Sequence, residues 1–197
     1  MKERLNATVR REQIAEAAMS IVVEQGLGAV TVRNVARIIG VTAPALYRHY
    51  KSKAAILAEV LDVVEGLKAE NMKKAREQAK SPLGLLRNVF RSHIWLIQRY
   101  RGLPLLYLSD ALWFEAPEVG LRARQRCNAE MEELSAIILE GQQQGEIRGD
   151  LAPRDIYHCF LGLFVTLGQM YSRQIENLDF LHQADVNWKL FEKAVAA

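Results

Sequence analysis

The chain has 197 residues, half of them apolar and a quarter charged, which is enough apolar material for a real core and excludes an intrinsically disordered chain. Its two cysteines, Cys127 and Cys159, stand 32 positions apart with no Cys-x-x-Cys spacing; this excludes a zinc knuckle or thioredoxin-type centre and suits a reducing cytoplasm, the expected location. The net charge of +3 hides an asymmetry, because the first 53 residues hold nine Lys/Arg against four Asp/Glu, a net +5, and the other 144 are net −2.

The start, Met1-Lys2-Glu3-Arg4, has no apolar stretch behind it, so no secretory signal is expected. Apolar spacing is helical almost throughout, and no strand is predicted. A first helix is built on Ile14, Ala18, Ile21 and Val22, with Gly26 as a left-handed stop. Thr31 caps a second helix that ends near Ile39. Thr42 caps a short third helix to about His49, with Pro44 in its first turn, where the missing N–H costs nothing. Ser52 caps a long fourth helix to about Lys80, and Ser81-Pro82 opens a fifth whose apolar face carries Leu83, Leu86, Phe90, His93, Ile94 and Ile97. The stretch 100–117 is broken by Gly102, Pro104 and Pro117. A long helix is predicted over 118–144, then a polar turn, a helix from Pro153 to about Arg173, and a last helix capped by Asp185. The longest apolar run, 157–171, is 15 residues and carries His158, Thr166 and Gln169; a membrane span needs roughly 18–20 apolar residues, so a buried helix is expected instead.

Residues 32–50 carry the most specific pattern. Counted from Val32, a small residue (Ala36) stands at position five and a glycine (Gly40) at nine, with Val35, Ile39, Val41 and Leu46 at four, eight, ten and fifteen. Two helices that cross closely need a small residue at the contact, and a tight turn between them needs a positive φ, which glycine supplies. The apolar positions glue both helices onto the first. That is a helix-turn-helix, although the same spacing serves a helix pair that is only core. The second helix then leaves Thr42, Ala43, Ala45, Tyr47, Arg48 and His49 outward, with Lys51 and Lys53 behind. Small groups at its front admit close approach to base edges, and Tyr47, His49 and Lys53 reach phosphate oxygens. Thr31 and Arg33 open the preceding helix, where N–H groups favour another phosphate.

The run Gly40-Val-Thr-Ala-Pro-Ala-Leu-Tyr-Arg-His-Tyr-Lys-Ser-Lys53 resembles the signature of the tetracycline-repressor (TetR) family. Ile14-Ala-Glu-Ala-Ala18, Gly26-Leu-Gly-Ala-Val-Thr31 and Val35-Ala36 resemble the family's first two helices. The resemblance covers about residues 9–60. It implies an all-α chain: an N-terminal three-helix DNA-binding domain, here 1–54, and a larger helical effector-binding and dimerisation domain, here 55–197. It implies operator contacts from Thr31, Arg33, Ala43, Pro44, Ala45, Tyr47, His49 and Lys53, to which outward Thr42 and Arg48 are added. Ala43 and Ala45 offer only methyl groups where many members place a polar base-reader. No acid follows Ser52 at the capping-box position, so the fourth helix starts with half a box.

The helix at 154–173 is apolar nearly all round, so both its sides must be covered; one side can face its own core and the other a partner chain, which is favoured over an unusually thick monomer core. A homodimer interface is expected from Phe160, Leu161, Val165, Gly168, Trp188 and Phe191. An effector pocket is expected among His93, Trp95, Tyr107, Trp113, Phe114, Met131, Phe164 and Tyr171, each of which also serves as ordinary core. Cys127 and Cys159 are read as buried thiols. No Walker loop, G-x-S-x-G or H-E-x-x-H occurs, and His49, His93, His158 and His182 are scattered; no enzyme, catalytic residue, metal or cofactor is expected. The sequence therefore points to a ligand-responsive transcriptional regulator, a repressor released from a palindromic operator by a small apolar or aromatic effector. An activator of the same fold and a helical small-molecule carrier are the alternatives.

Overall fold

A computed structural model describes residues 2–175 and 177–197, with side chains from Thr8 onward; Met1 of the charged start lies outside the described residues. Among the described residues ten α-helices follow in order: α1 (Lys2–Gln25), α2 (Val32–Ile38), α3 (Ala43–Tyr47), α4 (Lys53–Gln78), α5 (Pro82–Arg99), α6 (Leu103–Tyr107), α7 (Asp110–Glu115), α8 (Pro117–Gln143), α9 (Pro153–Ser172) and α10 (Phe180–Val195). A 3-10 turn, Leu27–Ala29, joins α1 to α2. Among the described residues the one β-like feature is an isolated antiparallel bridge between Ile147 and Ala196. The all-α expectation holds.

The chain divides into two compact units. The first takes in the chain to Leu67 together with Ile97–Ala123; the second takes in Lys68–Leu96 and Arg124–Ala197. The core of the first unit is Ile14, Ala18 and Ile21 of α1, Val35 and Ala36 of α2, Leu46 of α3, and Ile56, Leu57 and Val60 of α4. Leu103 and Leu106 of α6 and Leu112 of α7 are also buried there. Gly102 is where α6 meets α1, for a Cβ at that position would lie 2.6 Å from the Met19 carbonyl oxygen.

The second unit is built round an aromatic cluster. Phe160 of α9 lies 6.3 Å from Phe90 and 5.7 Å from Phe191, and Trp188 lies 5.6 Å from Phe90. Such contacts add about 0.5–1.5 kcal/mol each beyond the area they bury.

Three local expectations are corrected. Gly26 has a positive φ of 82° but an extended ψ of 167°, so it breaks α1 without forming a left-handed cap. The stretch 100–117 is not merely broken; it forms two short helices, α6 and α7, with Gly102 before the first, Pro104 in its first turn and Pro117 after the second. The last helix is capped by Asp179, whose side chain accepts from the His182 N–H at 3.0 Å. Asp185 is exposed inside α10, because the buried positions Phe180 and Ala184 extend the apolar face one turn further back.

Candidate nucleic-acid interface

The helix-turn-helix is assembled by caps, one glycine and two buried anchors. Thr31 Oγ1 accepts from the Asn34 N–H at 3.1 Å and starts α2. Asn34 Nδ2 in turn donates to the Ala29 carbonyl at 2.8 Å, tying α2 to the 3-10 turn. Gly40 sits at φ 71°, and the Val41 N–H donates to the Ala36 carbonyl at 3.0 Å, closing the turn. Any other residue at that φ carries a steric penalty of about 1–2 kcal/mol. Thr42 Oγ1 accepts from the Ala45 N–H at 3.4 Å and starts α3, which ends two residues earlier than expected. Ala36 is 1% exposed and Leu46 5% exposed, so the small contact residue and the anchor of α3 stand where the spacing puts them. Ile39 and Val41 are only half-buried.

Thr31, Arg33, Thr42, Pro44, Tyr47, Arg48 and His49 are exposed; Ala43, Ala45 and Lys53 are half-buried. Ser52 Oγ accepts from the Ala55 N–H at 3.2 Å, so one half of a capping box suffices to start α4. Lys53 Nζ pairs with Glu115 Oε2 of α7 at 2.6 Å.

A second network fixes the end of α3 and has no counterpart in the sequence reading. The Tyr50 hydroxyl donates to Glu59 Oε2 of α4 at 3.0 Å. Arg11 of α1 donates to the other Glu59 oxygen. Burial, then the hydrogen bond to Glu59, pushes the Tyr50 hydroxyl up to about 12. One carboxylate thereby holds α1, α4 and the segment after α3 together. Its members lie 48 and nine residues from Glu59, at separations that no helical periodicity reports.

Residues 14–60 match the family model described as bacterial regulatory proteins, tetR family. Residues 14–60 therefore match the N-terminal region shared by tetR-family regulators. The fold is that of TetR-family regulators along nearly its whole length. The ketosteroid transcriptional regulator KstR2 of Mycobacterium tuberculosis superposes with a TM-score of 0.79 at 19% identity, covering 95% of each chain. The regulator FadR of Bacillus subtilis, solved in complex with stearoyl-CoA, gives 0.73 at 20% identity over 91% of this chain and 96% of that one. In sequence, the chain is 28% identical to the HTH-type transcriptional repressor KstR2 of Mycolicibacterium smegmatis over 149 residues, 72% of this chain and 69% of that protein. It is 29% identical to the nucleoid occlusion factor SlmA of Photobacterium profundum over 119 residues; that match spans 60% of this chain and only 61% of the relative.

The eight residues expected at an effector pocket do not form one set. Tyr107, Trp113 and Phe114 belong to the first unit, the other five to the second. Phe114 is 83% exposed, Trp95 42% and Trp113 38%. Within the second unit His93 and Phe164 stack at 4.5 Å, Tyr171 stacks on Phe180 at 4.3 Å, and Met131 is half-buried. His93 Nδ1 faces the Val89 carbonyl oxygen at 2.9 Å and Nε2 faces Glu130 Oε1 at 2.7 Å. Glu130 also pairs with Lys68. Burial pushes the Glu130 carboxyl up, but His93 and then Lys68 outweigh it and hold the group well below the usual carboxylate range. Burial, and then the Glu130 charge, pushes the Tyr157 hydroxyl up.

Two further readings are corrected by burial. Phe160, Trp188 and Phe191, expected at a dimer interface, are 0%, 3% and 5% exposed in the single chain; they are the aromatic core of their own unit, and a partner has almost no area of theirs left to cover. Gly168 is buried too, and Leu161 and Val165 are half-buried. The outward apolar groups of α10 are Leu181 and Leu190, 53% and 64% exposed. Cys127 and Cys159 are both exposed. Cys127 falls among exposed Arg126 and Asn128 on α8, and Cys159 lies beside His158, off the buried face of α9 made by Ile156, Phe160 and Phe164. Among the described residues no group of three or more His, Cys, Asp or Glu could hold a metal, and no helix is long and apolar enough to cross a membrane.

Proposed function

We propose that the chain is a ligand-responsive repressor that binds a pseudo-palindromic operator as a homodimer. The observation that carries this reading is the Gly40-hinged pair α2–α3 with Thr42, Tyr47, Arg48 and His49 exposed along one edge. In the proposed complex α3 enters the major groove and presents Thr42, Ala43, Pro44 and Ala45 to base edges. Tyr47, Arg48, His49 and Lys53 take phosphate oxygens on one side, Thr31 and Arg33 on the other. Because Ala43 and Ala45 provide only methyl groups, direct readout is confined to thymine methyls and to Thr42, and DNA shape carries more of the specificity. Two copies joined through α9 and α10, by way of Leu161, Val165, Leu181 and Leu190, double these contacts and require paired half-sites.

The proposed effector is apolar and binds the larger helical region. Two observations favour that class: the aromatic content of the second unit, and the stearoyl-CoA bound to the structurally similar FadR. Release requires that the effector bind the DNA-free arrangement more tightly than the DNA-bound one. The test is a gel shift of the purified chain on duplexes covering the DNA upstream of its own gene, repeated with stearoyl-CoA and with a ketosteroid. Retention of one duplex, lost on adding either compound, is the expected result; retention of none removes the DNA-binding reading, and retention indifferent to every apolar compound tried removes the effector.

A further inference from the structure

We propose that Glu115 is an internal competitor for the DNA phosphate that Lys53 contacts, so that this carboxylate, remote from the helix-turn-helix in sequence, sets the affinity for DNA. The inference rests on the placement of Lys53 in the operator interface made above. Lys53 is the first residue of α4, and the segment 48–52 separates it from α3. Its ammonium lies 2.6 Å from Glu115 Oε2, and the Lys53 side chain is only 20% exposed. Among the described residues Arg33, Arg48 and Lys51 have no such carboxylate partner, so the competition acts on one cation of the edge and not on its general charge.

The helix that carries Glu115 is anchored. Glu115 ends α7, a helix of six residues whose Leu112 is fully buried. Trp113 seats on Gly120 of α8 so closely that a Cβ there would lie 2.9 Å from the indole. The other side of α7 packs on the 3-10 turn that leads into α2. The helix that carries the carboxylate is thus held in place, while the Glu115 side chain itself is 52% exposed, so the pair is worth no more than an ordinary surface ion pair. An ammonium is one compact charge. To meet a phosphate at full strength it must leave Glu115, and the affinity for DNA is reduced by whatever that separation costs.

Labelled duplexes of about 40 base pairs covering the upstream DNA, read by fluorescence anisotropy from ~50 to ~300 mM KCl, test this with Glu115→Gln, Lys53→Ala and the double variant. An exposed to half-exposed pair is worth about two- to five-fold in an equilibrium constant, so Glu115→Gln should tighten binding by that factor per protomer. The slope of log K against log[salt] should stay the same, because one Lys53 meets one phosphate in either protein. In the Lys53→Ala background, Glu115→Gln should change neither quantity. An equal gain with Lys53 absent would reduce the effect to removal of a negative charge near DNA and would overturn the proposal. If Lys53→Ala weakens binding and flattens the slope while Glu115→Gln alone does nothing, the competition fails and the interface stands. If Lys53→Ala itself leaves both unchanged, the placement of Lys53 fails, and the competition with it.

Discussion

Replacing Glu130 by Gln removes the anion shared by His93 and Lys68 and keeps its shape. The three side chains are 18%, 12% and 20% exposed, so the Lys68 ammonium would lose its counter-charge where little water can replace it. At an effective dielectric constant near 20, the Lys68 charge pair at about 4 Å is worth roughly 4 kcal/mol before desolvation is subtracted. Taking one partner out of a buried pair typically costs about 3–5 kcal/mol; with some solvent reaching all three groups, about 2–4 kcal/mol is expected here. For a chain of this size that is a fall in Tm of roughly 4–16 °C. The pH dependence follows from the depressed Glu130 carboxyl. Its contribution is fully present above the ordinary carboxylate value of 4.5 and is lost as pH falls toward the lower value of the folded protein. The gap between wild type and Glu130→Gln should therefore shrink by about 1.4 kcal/mol for each pH unit below that point. Urea unfolding of both proteins between pH 5.5 and 3.5 measures it. A loss under about 0.5 kcal/mol at pH 5.5, or a gap that does not narrow on acidification, would refute the reasoning.

Tyr47→Ala removes an exposed side chain, so thermal stability should stay within about 0.5 kcal/mol, while anisotropy should show binding to upstream DNA weakened by roughly five-fold per protomer. Gly102→Ala drives a Cβ against the Met19 carbonyl oxygen, 2.6 Å away, and should cost about 1–3 kcal/mol in denaturant unfolding; an unchanged midpoint would show that α6 and α1 can separate freely. Asp179→Ala should cost about 1 kcal/mol by removing the cap of α10. Asp185→Ala should cost less than half of that, and the reverse order would restore the cap that the sequence alone suggests.

The helix-turn-helix was legible because its constraints are local. Gly40 must take a positive φ, Ala36 must be small, and Thr31 and Thr42 must cap within three residues; each leaves a mark at fixed spacing. The first unit's other determinants are not local. Glu59 gathers Arg11 and Tyr50, and Glu115 reaches Lys53 across 62 positions, so neither carboxylate stands out from the charged faces around it. The dimer expectation failed at Phe160, Trp188 and Phe191 for a related reason. A helix that is apolar all round shows that two sides must be covered, but hydrophobicity alone cannot say which side is turned toward its own core. His93 was chosen from its position on an apolar face; what makes it polar is Glu130, 37 residues later in the chain. The cysteines were assigned by residue type, and two solvent-facing helix positions overrode that tendency.

The central claim is that the edge formed by α3 and the start of α4 meets the phosphates of duplex DNA. It is tested most directly by the salt dependence of binding to the upstream duplexes. The account predicts one duplex bound with log K falling linearly as log[salt] rises, and that slope made shallower by about one for each Lys53 lost to Ala. Binding to no duplex, or binding that salt leaves unchanged, would contradict it.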